Sequence, residues 1–357
     1  MGRATMQSRI EISFREQARK DSQVKNAYLL VHSEKRDIDV RVAEGRTGSM
    51  PANVQQPVYL ASVGKLFTAT VISILHEQGK LAFDDRISIF LDPELMNGLH
   101  VYKEHDYSGD IQVRHLLNQS SGLDDCFWPL LERMREDPSM RITPREAILW
   151  GKENLTPKAE PGKKHHYTDT NYYLLGLLVE SITGEPFHRS LHQHIFEPLG
   201  MDSAYMQGYS EPAVRSDDPL AEYYLDDLEG STLPGFPAID YAGGGVIAVL
   251  DDYLKFMQAL VNYALIREDT LQTMLSDDHR SYPTIRYGYA IWKFIRIPLL
   301  MPAKYTCWGC VGVTGAFMFY HPHTESYIIG SFNQTAYSSK ALRFMLSRVI
   351  KPLVKHG

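Results

Sequence analysis

The chain has 357 residues, of which 44% are hydrophobic and 22% charged, a composition typical of a folded globular protein with a sizeable core. Its 37 basic and 43 acidic residues give a formal net charge of −6, without the block of like charge that would indicate a nucleic-acid or membrane-surface partner. The first residues lack the apolar core of a secretory signal, and no run approaches the roughly 20 apolar residues that span a bilayer. We therefore expect a cytoplasmic protein that binds neither nucleic acid nor membrane.

The first predicted elements are a β-hairpin and a helix. Residues 26–34 and 37–45 are two β-rich runs joined by a short charged turn, which is typical of a hairpin. Over residues 62–79 the apolar residues recur at three-residue steps, and a glycine closes the run. This change of period predicts that a buried helix follows the hairpin.

The middle of the chain, residues 80–240, is predicted to be mainly helical. Its helical segments are separated by loops rich in Pro, Gly and Asp, and the clearest helices are predicted at residues 110–123, 143–154 and 168–184. Residues 234–246 contain three consecutive glycines and are predicted to form a flexible loop.

Two strands and a terminal amphipathic helix are predicted at residues 316–322, 325–335 and 339–355. Strands are therefore expected from both ends of the chain. The simplest architecture is an α/β lobe with a central antiparallel sheet flanked by helices, made of residues 1–79 and 241–357, with residues 80–240 inserted as a helical lobe.

Cysteine and histidine spacing does not indicate a metal or redox site. Three cysteines are too few for a disulfide framework, and the C-x-x-C pair of Cys307 and Cys310 is followed by a predicted strand where a thioredoxin-like motif would open a helix. Neither this pair nor the adjacent His165 and His166 has further ligands at zinc-site spacing. We therefore expect no metal and no cofactor.

The segment ASVGKLFTA, residues 61–69, places Ser62 three residues before Lys65 at the start of the predicted helix. This spacing puts both side chains on one helical face. A serine becomes a good nucleophile when a base takes its proton, and a lysine can be that base when burial or a positive field lowers its pKa. The same spacing also fits an ordinary helix start with a solvated lysine, so by itself it leaves both interpretations open.

Several segments, taken in order, resemble the serine β-lactamase and penicillin-binding-protein superfamily, with the class C β-lactamases and family VIII carboxylesterases as the nearest branch. They are SVGK (62–65), HLLNQSSGL (115–123), HYTDTNYYLLGLLVESITGEPF (166–187), AGGGVIAVLDDYLKFMQAL (242–260) and WGCVGVTGAFMFYHP (308–322). The resemblance covers most of the chain from about residue 26 onward. It implies a β-lactamase/transpeptidase-like fold.

The resemblance also implies catalytic roles. Ser62 matches the acylated serine and Lys65 its partner base. Tyr167 matches the tyrosine of the family's Tyr-x-Asn motif, where a phenol of lowered pKa would relay protons to the leaving group. The backbone amides of Ser62 and Val313 would form the oxyanion hole.

The sequence departs from the family at the third position of that motif, where Asp169 replaces asparagine. An ionised aspartate cannot donate a hydrogen bond to a substrate carbonyl. Its charge should also raise the pKa of Lys65, which opposes a neutral lysine base unless Tyr167 takes that role. We expect this change to alter specificity before it abolishes activity.

A second departure lies at Cys310 and Val311, where the family has Lys-Thr or His-Thr to bind the carboxylate of its substrates, while the following Gly312 is retained. Cysteine and valine provide neither a fixed cation nor a strong donor, and burying an anion without a partner is costly. We therefore expect acyl-transfer chemistry without strong carboxylate recognition.

Pocket walls are less well specified by the sequence. Aromatic residues flank the site in the family segments, namely Trp128, Tyr223, Tyr224 and Tyr241. In a chain with 21 tyrosines such residues often pack in the core instead. The predicted substrate-binding residues are Asp169, Cys310, Gly312, Trp128 and Tyr241.

Together these observations predict a serine hydrolase that acts through an acyl-enzyme on small-molecule esters or amides. One alternative is a D-alanyl carboxypeptidase or β-lactamase acting on a peptide or lactam, with Lys304 or Arg286 replacing the missing cation. The other alternative is a catalytically silent relative that binds a ligand or a protein, which Asp169 and Cys310 would favour.

Overall fold

The computed structural model describes residues 3–295 and 302–355. The strands are, in chain order, β1 (Asn26–Ser33), β2 (Ile38–Thr47), β3 (Met50–Pro51), β4 (Val58–Tyr59), β5 (Val101–Tyr102), β6 (His105–Asp106), β7 (Tyr205–Met206), β8 (Tyr224–Leu225), β9 (Leu228–Glu229), β10 (Val246–Ala248), β11 (His279–Tyr282), β12 (Ile285–Tyr287), β13 (Trp292–Phe294), β14 (Cys307–Gly312), β15 (Ala316–His321) and β16 (Ser326–Ser331).

The α-helices are, in chain order, α1 (Arg3–Arg19), α2 (Gly64–Glu77), α3 (Pro93–Met96), α4 (Val113–Leu117), α5 (Phe127–Glu136), α6 (Pro144–Asn154), α7 (Thr170–Thr183), α8 (Phe187–Leu191), α9 (Glu197–Leu199), α10 (Phe236–Gly244), α11 (Leu250–Val261), α12 (Glu268–Ser276), α13 (Ser338–Phe344) and α14 (Lys351–Lys355). π-helical turns at His192–Phe196 and Met345–Ile350 join α8 to α9 and α13 to α14. In the described part of the chain, no helix is both long enough and apolar enough to cross a bilayer.

An antiparallel sheet of nine strands organises the described residues, in the order β11-β12-β13-β14-β15-β16-β1-β2-β3. The hairpin of β1 and β2 pairs Asn26 with Gly45, and β1 also pairs with β16 from near the other end of the chain. The predicted fold class is therefore confirmed, with a central antiparallel sheet built from both ends. The division into an α/β lobe and a helical lobe stays a prediction.

Each face of the sheet buries its own apolar cluster, as the alternation along β1 shows. Tyr28 and Leu30 contribute to the cluster formed with α2, α7, α10 and α11. Leu29 and Val31 contribute to the opposite cluster, formed with α1 and the C-terminal helices. Successive side chains of a strand point to opposite faces, so one strand supplies both cores. Helix α1, for which the sequence analysis made no prediction, covers part of the second face.

Two predicted helices begin or end at the residues that the sequence signals indicate. Thr143 caps α6 by accepting a hydrogen bond from the Glu146 backbone amide, and the Glu146 carboxylate bonds back to Thr143. Helix α7 closes on Gly184, which has a φ of 72°. Local sequence therefore sets these boundaries.

The predicted loop at residues 234–246 was wrong, because most of this segment forms α10. A kink interrupts the helix at Tyr241, whose φ is 34° and ψ −124°. The glycines allow close backbone approach there, since a Cβ atom on Gly243 would lie 2.6 Å from Asp169 Oδ1. They are therefore required by packing around the site, whereas the sequence suggested only flexibility.

Candidate active site

Ser62 and Lys65 meet at the start of α2. Ser62 lies in a 3₁₀ turn, Ala61–Val63, and Lys65 lies in the first turn of the helix. The Lys65 ammonium donates a hydrogen bond from Nζ to Ser62 Oγ over 3.0 Å. Ala61, directly before the serine, has a φ of 50°, a conformation that costs about 1–3 kcal/mol in a non-glycine residue. The surrounding structure therefore holds the serine in a fixed, strained turn.

Lys65 is completely buried and uses all three of its donors. Besides Ser62, Nζ donates to Asp169 Oδ1 in a short ion pair and to the Gly243 carbonyl at 2.9 Å. Burial, the largest single effect, lowers the pKa of Lys65, but the charge and hydrogen bond of Asp169, together with the neighbouring tyrosines, outweigh it and the net pKa is raised. The resting lysine is thus an ammonium ion, in agreement with the effect expected from Asp169.

Tyr167 lies beside this pair. Lys65 Nζ is 5.2 Å from the centre of the Tyr167 ring, and the nearby Ser62 side chain acts to lower the pKa of the phenol. Burial raises the pKa of Tyr167 far more than Lys65 lowers it. The lowered pKa expected for this phenol is therefore corrected, because desolvation dominates. Tyr167 is a neutral phenol in the resting site.

Two further carboxyl groups lie near Asp169, the half-buried Asp125 and the buried Asp240, and the sequence analysis missed both. Asp125 accepts a hydrogen bond from the Asp169 backbone amide at 2.9 Å. Burial, followed by repulsion from Asp169, raises the pKa of Asp125 to about 7. Burial likewise raises the pKa of Asp240 to about 8, with Lys65 acting against it, and Asp240 Oδ2 has no hydrogen-bond partner among the described residues. Neither residue belongs to a recognisable motif.

Strand β14 forms the opposite side of the candidate site. Cys310 is buried, and its thiol donates to the Ser62 carbonyl at 3.1 Å. A Cβ atom on Gly312 would lie 2.2 Å from the Leu60 carbonyl oxygen, so only glycine fits at this position. Because β13 pairs with β14 only as far as Gly309, the last residues of β14 form an open strand edge. Val313 follows this edge and is half-buried, and its role in an oxyanion hole stays a prediction.

The C-x-x-C pair cannot act as a unit. Cys307 belongs to the cluster under α1, whereas Cys310 belongs to the cluster under α2, on the other face of the sheet. Both thiols are free. Across residues 3–295 and 302–355, no group of three or more His, Cys, Asp or Glu side chains could hold a metal ion.

The predicted aromatic walls lie mostly elsewhere. Tyr241 was predicted to bind substrate. Its buried ring instead packs on Phe187, and its hydroxyl donates to Glu180 at 2.8 Å, so the side chain lies in the helical core. Tyr223 is also buried and stacks on Tyr59, with 4.1 Å between the ring centres. The other two predicted aromatic residues have no described contact with Ser62. Trp128 is exposed and lies against Phe127, and the Tyr224 hydroxyl donates to Glu222.

A different set of aromatic residues adjoins Tyr167. The Tyr167 ring is 5.8 Å from that of Tyr287 and 6.1 Å from that of Trp292. Tyr282 stacks almost parallel on Trp292 at 6.3 Å and is 57% exposed. These rings, which we call the aromatic wall (Tyr167, Tyr282, Tyr287 and Trp292), lead from the Ser62 region toward solvent. The sequence analysis missed the last three because they come from β11, β12 and β13, distant from the motifs.

Comparison with known proteins gives a family match over residues 18–348, to the model described as Beta-lactamase. A relative from Penicillium citrinum named ML-236A carboxylate methylbutanoyltransferase is 26% identical over 341 residues, which is 82% of this chain and 78% of the relative. Penicillin-binding protein 4* of Bacillus subtilis is 27% identical over 256 residues, covering 68% of this chain and 53% of that protein. The chain spans about half the length of several such curated relatives.

A solved structure of a D-stereospecific amidohydrolase from Streptomyces sp. superposes with a TM-score of 0.77. The match covers 97% of this chain and 99% of the other, at 24% sequence identity. At that identity, the similarity bears on the fold alone. It agrees with the sheet order and flanking helices described above.

Proposed function

Because the chain belongs to the beta-lactamase family, as its sequence resemblance predicted, we propose that it is a serine hydrolase acting through an acyl-enzyme on small esters or amides. The observation that carries this proposal is the 3.0 Å contact between Lys65 Nζ and Ser62 Oγ, with the Tyr167 phenol beside it. A buried lysine is costly to maintain, and a solvated helix start would not require one. The family's named relatives also include an acyltransferase, which uses related chemistry.

In the proposed reaction Ser62 Oγ attacks the substrate carbonyl carbon, and its proton leaves by way of Lys65, once that ammonium ion has given up a proton of its own, with the Tyr167 phenol beside it. The amides of Ser62 and Val313 would stabilise the oxyanion, which forms as the carbonyl π bond breaks. Collapse expels the alcohol or amine, protonated on leaving. Water or another nucleophile then attacks the ester carbonyl of the acyl-enzyme and releases Ser62.

The charge distribution favours substrates without an essential carboxylate. Cys310 and Val311 supply no cation at the β14 edge, and the two candidate replacements are engaged elsewhere. Arg286 pairs with the buried carboxylate of Asp278. Lys304 lies six residues before Cys310, beyond the other end of β14, with its ammonium over the Tyr305 ring. A β-lactamase or D-alanyl carboxypeptidase is therefore the less favoured candidate.

The aromatic wall supports a preference for an apolar or aromatic substituent. Trp292 and Tyr282 present a stacked pair beside Tyr167, and flat rings bind such faces with about 0.5–1.5 kcal/mol beyond area burial. We also propose a cytoplasmic location, which the three unpaired cysteines support.

The proposal is tested by hydrolysis of p-nitrophenyl butyrate. Ser62→Ala should lower kcat/KM by at least about 10³-fold, to the uncatalysed background, because no other group would form the acyl-enzyme. Ser339→Ala, at an exposed serine, is the matched control and should retain the wild-type rate. Unchanged turnover by Ser62→Ala would refute Ser62 as the nucleophile, whereas inactive wild-type protein would favour the catalytically silent alternative.

A further inference from the structure

We propose that Asp169 is the final acceptor in proton transfer from Ser62 and that Lys65 relays the proton. The three residues thus form a Ser62–Lys65–Asp169 relay. This inference rests on the proposed hydrolase function. It assigns to Asp169 a role in proton transfer, where the sequence suggested substrate binding.

The hydrogen bonds of Lys65 define the route. Its three donors are directed at Ser62 Oγ, the Gly243 carbonyl and Asp169 Oδ1, so the amine has no lone pair with which to accept a proton. It can accept the serine proton only after giving up one of its own. Of its three acceptors, the Asp169 carboxylate is the most basic, because a serine hydroxyl and a peptide carbonyl bind protons far more weakly.

The transfer balances in two steps. A Lys65 N–H bond breaks as an O–H bond forms on Asp169 Oδ1, which leaves a neutral amine whose lone pair faces Asp169. Rotation about the Cε–Nζ bond then turns this lone pair toward Ser62 Oγ, which lies 3.0 Å from Nζ. The Ser62 O–H bond then breaks as an N–H bond forms on Lys65, and the Oγ electron pair forms the bond to the carbonyl carbon. Lys65 is an ammonium again, and the proton is stored on Asp169. The reverse sequence returns it to the leaving group.

Burial makes the first step accessible. Charge separation is expensive in a low-dielectric interior, so a neutral amine and a neutral carboxylic acid are closer in free energy to the ion pair there than in water. Lys65 is fully buried, and Asp169 is only 8% exposed. Tyr167 is a poorer acceptor, since burial raises the pKa of its phenol and makes tyrosinate rarer still.

Titratable and polar side chains from each neighbouring element surround Lys65 and Asp169 and influence their protonation. From the described chain they are Ser62 before α2, Tyr59 on β4, Asp125 before α5, Tyr167 and Tyr172 at α7, Asp240 on α10 and Cys310 on β14. Asp240 carries no hydrogen bond to Lys65 and is mainly protonated at pH 7, because burial raises its pKa to about 8. It therefore provides a matched carboxyl that lies near the relay but outside it.

The test measures the rate at which a fluorophosphonate labels Ser62, by intact-protein mass spectrometry between pH 5 and 10. This reaction needs the same proton removal and does not require the natural substrate. Asp169→Asn should label about 10²-fold more slowly at pH 7 and recover as the pH rises, because Lys65 must then lose its proton to solvent. Asp169→Glu, which keeps a carboxylate, should recover part of the neutral-pH rate. Asp240→Asn should label within about threefold of wild type, with an unshifted profile.

Two results would overturn the inference in distinguishable ways. If Asp169→Asn, shown to be folded by circular dichroism, labels with the wild-type pH profile, the relay is wrong while the hydrolase proposal stands. If wild-type protein is not labelled at Ser62 at any pH, the hydrolase proposal fails and the relay fails with it. An Asp169→Asn protein that does not fold leaves Asp169→Glu to decide, since a rate as low as that of Ser62→Ala would contradict a carboxylate base.

Discussion

The start of α2 and the edge of β14 lie on opposite sides of one candidate site, and they differ in charge. The α2 side holds a buried ammonium ion, a carboxylate and a phenol around Ser62. The β14 side offers Cys310, whose pKa burial raises to about 12, and, within residues 3–295 and 302–355, no fixed cation. If the proposed function is correct, the groups that move protons and the groups that bind a substrate carboxylate are separable within this fold, because the described residues keep the first set and place no cation at the β14 edge.

The largest effect is expected on the α2 side from Lys65→Met. Removing the ammonium leaves the Asp169 carboxylate buried without its partner, which should lower the free energy of unfolding by about 3–5 kcal/mol and p-nitrophenyl butyrate turnover by at least about 10³-fold. Urea denaturation and initial rates measure the two effects.

A second substitution separates them. Adding Asp169→Asn to Lys65→Met removes the unpaired charge and should restore most of the stability, but none of the activity. Recovery of activity in the double variant would show that the charged groups are structural only.

Tyr167→Phe should have a smaller effect on the same side. It removes the phenol beside Ser62 while keeping the ring contacts with Tyr287 and Trp292. We expect kcat to fall about 10–10²-fold through the loss of proton transfer to the leaving group, with little change in Tm. The fall should be less for p-nitrophenolate, a good leaving group, than for an alkyl alcohol; equal rates for variant and wild type on both esters would refute a role for this phenol.

The β14 side is tested by substrate charge. p-Nitrophenyl butyrate and the p-nitrophenyl monoester of succinate are similar in size, but only the second carries a free carboxylate. We expect kcat/KM to be at least about tenfold higher for the neutral ester, because Cys310 and Val311 supply no cation at the β14 edge to compensate desolvation of the anion. A preference for the charged ester would break the contrast between the two sides, and raising the salt concentration would then reveal whether a distant cation causes it.

The smallest effect concerns Asp240, a buried carboxyl on the α2 side. Its pKa is about 8 in the folded protein, against about 4 in an unfolded chain, so folding retains a proton that the unfolded chain loses. The stability contributed by this group is therefore fully present below about pH 4 and lost progressively up to about pH 8.

Asp240→Asn removes this dependence. The variant should have a Tm a few degrees above that of wild type at pH 8, and nearly equal to it at pH 5. Differential scanning calorimetry at both pH values measures the difference, and parallel pH dependence in the two proteins would show that Asp240 does not carry a proton in the fold.

What the sequence could predict follows from how local each feature is. The contact of Ser62 with Lys65 follows from helical spacing, and the hairpin and α7 follow from their periodicity and closing residues. Tyr167 required the family resemblance, because about a hundred residues separate it from Lys65. Local pattern and family motif together therefore located the proposed nucleophile and its neighbours.

The electrostatic state of the site could not be predicted in the same way. The pKa of Tyr167 depends on complete burial, which no motif states. The contact of Lys65 with the Gly243 carbonyl depends on a kinked helix, and the sequence analysis predicted a loop there because of the three glycines. Asp240 approaches from the same helix and is likewise brought near by tertiary packing. Burial and long-range backbone approach therefore decide the protonation states.

The most direct test of the central claim is to treat the protein separately with a fluorophosphonate and with a penicillin, and to locate any adduct by peptide mass spectrometry. We predict that the fluorophosphonate modifies Ser62 and that the penicillin, whose carboxylate meets Cys310 and Val311 in place of a cation and a hydroxyl, leaves it unmodified. A penicillin adduct on Ser62 formed as readily as the phosphonate adduct, or a phosphonate on any residue but Ser62, would contradict the account.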